Sequence, residues 1–107
     1  MKELYGLYET AMDRKKNPEE GSYTTYLFDK GLEKILRKIG EETTEVIVAA
    51  LSQSDEELIG ELNDLLYHLV VLMAEKGITP EQVEEEMRKR AEKQHNLKPE
   101  RKPIENV

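Results

Sequence analysis

The 107-residue sequence predicts an all-α protein, a bundle of four principal helices with a central antiparallel hairpin of two long ones. Three observations carry that reading. Apolar residues recur at helical spacing through most of the chain, no segment alternates apolar and polar residues as a half-buried strand does, and glycine, proline and capping residues sit at the joints. One domain spans residues 1–94. Residues 95–107 read as a loose tail, because they combine two prolines and mixed charge with few apolar side chains.

Leu4, Leu7, Tyr8, Ala11 and Met12 recur at helical spacing, and Asn17, Pro18 and Gly21 break the pattern, so the first helix ends near Lys16. Ser22 is placed to cap a short helical turn through Phe28, and Gly31 separates that turn from the next helix. Leu32, Ile35, Leu36, Ile39, Val46, Ala49 and Ala50 then stand on helical offsets, which makes one long helix. Ser54 and Glu57 have the S-x-x-E form of a capping box, in which the hydroxyl accepts from the amide three residues on. A second long helix starts there and runs to Gly77, a residue type that readily adopts the left-handed conformation ending a helix. Thr79, Pro80 and Gln82 supply a cap, a proline at the first helical position and a box partner, and the last helix continues to about Gln94.

Charge and composition narrow the function. With 16 Lys and Arg against 23 Asp and Glu, the net charge is −7. That disfavours a nucleic-acid partner, since counterion release needs clustered cations that are not outnumbered. The absence of cysteine removes disulfides, thiol catalysis, zinc ribbons and iron–sulfur ligation. The longest apolar run, Leu65 to Ala74, is half of the roughly 20 residues a spanning helix needs, so no membrane association is expected. The N-terminal stretch has no signal-peptide core, and a cytoplasmic location is expected. The run from Leu65 to Ala74 is apolar on nearly all sides, more than four short helices can cover, which predicts a two-fold homodimer.

The chemistry lies in the hairpin. Its two helices are joined by about three residues, and with the turn centred on Gln53, positions whose numbers add to 106 lie level. Glu45 then faces Glu61 and Glu42 faces Asp64, each helix offering two acids at i, i+3. Facing carboxylates repel and raise one another's pKa, and a divalent cation between them removes that cost. Oxygen donors without histidine or cysteine suit Mg2+, with Mn2+ as the second choice. The other reading is a solvated face whose acids pair with lysines such as Lys38. Against it, Val46, Ala49, Leu62, Leu65 and Leu66 flank the acids and imply partial burial, where unpaired carboxylates are rarely tolerated. Lys34 and Lys38 precede Glu42 by eight and four residues, near the same stripe, where they serve either the outer phosphates of a nucleotide or surface ion pairs. His68, level with Lys38, reads as a packed, hydrogen-bonded histidine, and Leu65 denies it the E-x-x-H metal motif. There is no glycine-rich phosphate loop and no H-E-x-x-H.

Three stretches together resemble a known family: SYTTYL at Ser22 to Leu27, KILRKIGEETTEV at Lys34 to Val46, and ELNDLLYHLVVLM at Glu61 to Met73. They are similar to the phosphoribosyl-ATP pyrophosphohydrolases, in the MazG-like all-α NTP pyrophosphatase superfamily. The paired acids alone indicate the superfamily; the SYT and DLLYHL segments indicate the member. The resemblance implies a MazG-like bundle and a homodimer. It implies Mg2+-dependent hydrolysis between the α and β phosphates of phosphoribosyl-ATP, the second step of histidine biosynthesis. By motif, Glu42, Glu45, Glu61 and Asp64 correspond to metal ligands, and Glu41 or one of those four, such as Glu42 or Glu45, positions the attacking water. Lys34 and Lys38 would serve the phosphates, and Ser22, Tyr23 and Thr24 the substrate. Thr43 and Asn63 stand where alanine-like residues are expected. The rivals are a housecleaning pyrophosphatase for dUTP or an aberrant NTP, against which the SYT segment and the lack of an evident aromatic sandwich both weigh, and a non-enzymatic helical dimerisation module.

Overall fold

A computed structural model describes residues 1–93, which form five α-helices and, among the described residues, no strand. They are α1 (Lys2–Lys16), α2 (Tyr23–Lys30), α3 (Leu32–Ser52), α4 (Asp55–Lys76) and α5 (Pro80–Ala91). The tail expected over residues 95–107 lies outside the described residues, and so does Gln94.

Two boundaries differ from expectation. The short turn expected from Ser22 to Phe28 is a full helix, α2, running to Lys30. Its start is fixed by Ser22 Oγ, which accepts from the Thr25 amide at 3.1 Å. Its end is fixed by Gly31 at φ 90°, where a side chain would be strained. A proline-free, glycine-free stretch between two such signals has nothing to stop it earlier. The last helix ends at Ala91, three residues short of Gln94, within a polar stretch that has no core-facing side chain to extend it.

The other joints agree with the sequence. Ser54 Oγ accepts from the Glu57 amide at 3.2 Å, Gly77 takes the left-handed conformation at φ 71°, and Thr79 and Gln82 form the reciprocal box at 3.2 and 2.8 Å. Only Gln53 and Ser54 link α3 to α4, so the two run antiparallel and in contact. Leu27, Ile35 and Val71 are fully buried at the centre, with Phe28, Ile39, Tyr67 and Leu72 packed around them. Ile35 and Val71, and likewise Ile39 and Tyr67, are pairs whose numbers add to 106, and all four pack in this one core.

α1 lies along α4 and is fastened to its end. Lys15 Nζ donates to the carbonyl oxygens of Ala74 and Glu75 at 3.1 and 3.2 Å, placing a cation on the negative end of the α4 dipole. At the other end of α1, the Tyr5 hydroxyl donates to Glu84 of α5. Burial is one-sided on α4: Val70, Val71 and Ala74 are enclosed, while Ile59, Leu62, Leu66 and Leu69 are open, and Ile47, Val48 and Leu51 of α3 are open too. Among the described residues no helix is long and apolar enough to cross a membrane.

Candidate active site in the helical hairpin

α3 presents Glu42 and Glu45, and α4 presents Glu61 opposite them. One carboxylate oxygen from each lies within 4.8 Å of the others. Glu42 is buried, at 7% exposure, Glu61 is half-buried and Glu45 is exposed. Glu42 Oε2 and Glu61 Oε2 are both buried without a hydrogen-bond partner. A buried acceptor left unpaired forfeits its hydration without return, and two of them beside a third acid mark a place where a cation is wanted.

The electrostatics agree with the geometry. Burial, then the hydrogen bond and charge of Glu45, pushes the Glu42 carboxyl above the usual range, with His68 and Lys38 opposing. For Glu61, raised in the same direction, the hydrogen bond shared with Glu45 comes first, then burial and the charges of Glu45, Asp64 and Glu42. Asp64 itself is exposed and stands outside the cluster of three. It lies three residues beyond Glu61, a rotation of about 60° around the helix, which leaves it at the rim with its charge still felt.

The remaining residues singled out from the sequence divide into two groups. Lys38 reaches the acids: its Nζ is 3.1 Å from Glu41 Oε2 and 3.7 Å from Glu42 Oε1. The hydrogen bond from Lys38 holds the Glu41 carboxyl below the usual range, and the same bond raises the lysine. Lys34 does not join them, and lines a separate concavity with Tyr26, Lys30, Glu33 and Arg37. Thr43 and Asn63 each donate to a carbonyl one turn back on their own helix, at 2.8 and 2.9 Å. Neither takes part in the acidic cluster.

α2 lies across the open end of this hairpin region with all three hydroxyls of its SYT segment engaged. Ser22 caps the helix, Thr24 shares a hydrogen bond with Tyr67, and Tyr23 Oη lies 2.9 Å from His68 Nε2. His68 is 4% exposed, and its Nδ1 lies 2.7 Å from the Asp64 carbonyl oxygen. A carbonyl only accepts, so Nδ1 carries the proton, and in the neutral ring Nε2 accepts from the Tyr23 hydroxyl. Burial raises the phenols of Tyr23 and Tyr67. The Tyr23 ring stacks between Tyr26 and Tyr67, centroids 5.9 and 6.0 Å away. This row of tyrosines is an arrangement the sequence reading did not anticipate. Its sequence signal was the i, i+3 pair Tyr23 and Tyr26, but Tyr67 joins only because α2 crosses α4.

The description of the phosphoribosyl-ATP pyrophosphohydrolase family matches residues 4–91, from the first turn of α1 to the end of α5. The chain belongs to that family. The chain is also 54% identical over 101 residues to the phosphoribosyl-ATP pyrophosphatase of Clostridium novyi, covering 94% of this chain and 92% of the relative. With the protein of the same name from Clostridium acetobutylicum it shares 55% identity over 104 residues, 97% and 94% of the two chains. With that from Lactiplantibacillus plantarum it shares 50% over the full length of both. Membership in the phosphoribosyl-ATP pyrophosphohydrolase family makes this chain a hydrolase by kinship, and the acids lie wholly within the matched region.

Proposed function

We propose that the chain hydrolyses phosphoribosyl-ATP between its α and β phosphates, releasing phosphoribosyl-AMP and pyrophosphate, with a divalent cation held by Glu42, Glu45, Glu61 and Asp64. The observation that carries this reading is the meeting of three carboxylates around two unpartnered, buried oxygens, in a chain whose relatives bear the name of that activity. The donor set is all carboxylate oxygen, which fits Mg2+ or Mn2+. When bound, such a cation offsets charge on the phosphate oxygens and on the leaving pyrophosphate.

The protein's own groups do the rest. Glu42 and Glu61, each with a carboxylate oxygen within 4.8 Å of the other's, would fix where the cation and, through it, the phosphates lie. Lys38, beside that space, contributes a positive charge to them and keeps Glu41 ionised. Glu41 and Glu45 are the exposed acids within reach of solvent. They orient the attacking water, and Lys38, by holding the Glu41 carboxyl low, makes Glu41 a weak proton acceptor. Tyr23 and His68 hold α2 over the site by tying it to the Asp64 backbone. The working unit on this reading is a cytoplasmic two-fold homodimer. Its interface is the open apolar stripe of Ile59, Leu62, Leu66 and Leu69, whose spacing of three and four residues is that of a helix-packing seam.

One assay tests the function: pyrophosphate release from phosphoribosyl-ATP, dUTP and ATP, with and without Mg2+. Preference for phosphoribosyl-ATP and dependence on Mg2+ are expected. Preference for dUTP would transfer the chain to a housecleaning role, and no release from any of the three would leave a dimerisation module.

A further inference from the structure

We propose that the concavity formed by Tyr26, Lys30, Lys34 and Arg37 is a phosphomonoester site, occupied in turnover by the 5-phosphate of the phosphoribosyl arm of the substrate. The identity of that occupant rests on the hydrolase reading; the chemistry of the site rests on the pocket itself. It is an open concavity of about 330 Å3 between the end of α2 and the start of α3, and Glu33 is its one acidic lining residue. Three cations against one carboxylate leave a surplus of two positive charges, in a chain whose net charge is −7. Glu33 pairs with Arg37 at 3.6 Å, but its side chain is 90% exposed and free to turn away.

Lys30 and Lys34 make no ion pair among the described residues, although acids outnumber cations 23 to 16 in the chain. Lys34 and Arg37 are three residues apart on α3, a spacing at which like charges destabilise a helix. Neighbouring cations repel one another, and a multiply charged anion between them relieves that repulsion. A phosphomonoester meets that requirement: it carries close to two negative charges at neutral pH, and a guanidinium fork matches two of its oxygens. Lys30 Nζ also stands 5.8 Å from the centroid of the Tyr26 ring, which leaves an aromatic wall beside the cations for the sugar.

Position decides which phosphate of the substrate belongs here. Lys34 precedes Glu42 by two turns of α3, ~12 Å at the helical rise of about 1.5 Å per residue. Anhydride phosphates held through a cation at the acids are that far from Lys34, whereas the second ribose phosphate, at the opposite end of the base, is the other strongly charged group of phosphoribosyl-ATP. Tyr26 of this pocket stacks on Tyr23, which lies within the field of Glu42 and Lys38, so the pocket and the acids are neighbours across one aromatic side chain. A plain nucleoside triphosphate has nothing to place in the pocket, so the pocket is where the phosphoribosyl substrate is told from ATP.

The test uses the full chain, isotopically labelled for nuclear magnetic resonance, without divalent cation, and ribose 5-phosphate as the probe. Saturable shifts of the amides at Tyr26, Lys30, Lys34 and Arg37 are expected, with none from ribose. The double variant Lys30→Gln, Arg37→Gln changes exposed side chains only, and should weaken that binding by about tenfold. In steady state it should raise KM for phosphoribosyl-ATP by about tenfold with little change in kcat, the signature of lost uniform binding. The proposal is overturned by absence of saturable shifts, by shifts centred on Glu45 and Glu61, or by unchanged affinity and KM in the double variant. Pyrophosphate release by the wild type is scored separately. If it is absent while ribose 5-phosphate binds at the pocket, the hydrolase reading falls and the phosphomonoester site stands.

Discussion

Glu61 is the residue whose replacement separates function from stability. As glutamine it keeps its size and loses a charge that Glu45, Glu42 and Asp64 all oppose. Turnover of phosphoribosyl-ATP in Glu61→Gln should fall by at least about a hundredfold if the carboxylate holds the cation that offsets the transition-state charge. Without metal the same variant should melt at or above the wild-type temperature, because a like charge is gone. A wild-type rate in this variant would remove Glu61 from the site. The pH dependence gives an independent check. Glu42 and Glu61 are raised in the folded state above the ordinary carboxylate value of 4.5. Their protonated forms therefore favour folding at acid pH, and that contribution is lost as pH rises through the raised values. Melts of metal-free protein should show wild type and Glu61→Gln converging below pH 4.5 and the variant ahead at neutral pH. The stabilisation by Mg2+ should shrink over the same interval as the pH is lowered, since protons compete for the same oxygens. A wild-type minus variant difference that does not move with pH would place both acids in ordinary solvent.

At the scale of the elements, the turn at Gln53 and Ser54 sets the level at which α3 and α4 face each other. Ser54 satisfies the first turn of α4, accepting from the Glu57 amide and donating to the Glu57 carboxylate at 3.1 Å. Ser54→Ala should cost about 1 kcal/mol and Ser54→Gly a few tenths, read as a shift in the urea midpoint with an unchanged slope. Equal losses from the two variants would show that the cap is not what starts the helix. The hairpin was legible in the sequence because each of its signals is local: a cap, a left-handed glycine, and a periodicity that continues between them. Glu42, Glu45 and Glu61 were legible for the same reason, since a two-residue turn leaves their register almost no freedom. Asp64 shows where that logic stops, because level is fixed by the turn but the angle around the helix depends on how the two axes pack. Helix α2 was underestimated, as its length depends on Gly31 ending it and on Leu27 reaching a core formed by α3 and α4. The row of Tyr26, Tyr23 and Tyr67, and the separation of Lys34 from Lys38, depend on that crossing and have no local signature.

For the whole molecule, a second copy would cover the apolar area that the fold leaves open. Leu51 is 82% exposed, and Ile47, Val48, Ile59, Leu62, Leu66 and Leu69 of the same two helices are exposed as well. Sedimentation at micromolar concentration should give twice the 12.4 kDa chain mass, and Leu62→Asp with Leu66→Asp should give the single chain mass. A wild-type monomer would assign this face to a different partner. The brevity of the turn between α3 and α4 also bears on how quickly the protein becomes active. Glu42, Glu45 and Glu61 all lie within one hairpin, so the loop that must close to bring them together is short, and short closures are entropically inexpensive and fast. The cluster of three acids is then expected to form with the earliest tertiary contacts rather than with the last. Ser54→Ala should accordingly slow refolding more than it speeds unfolding, placing the birth of the site at the folding nucleus.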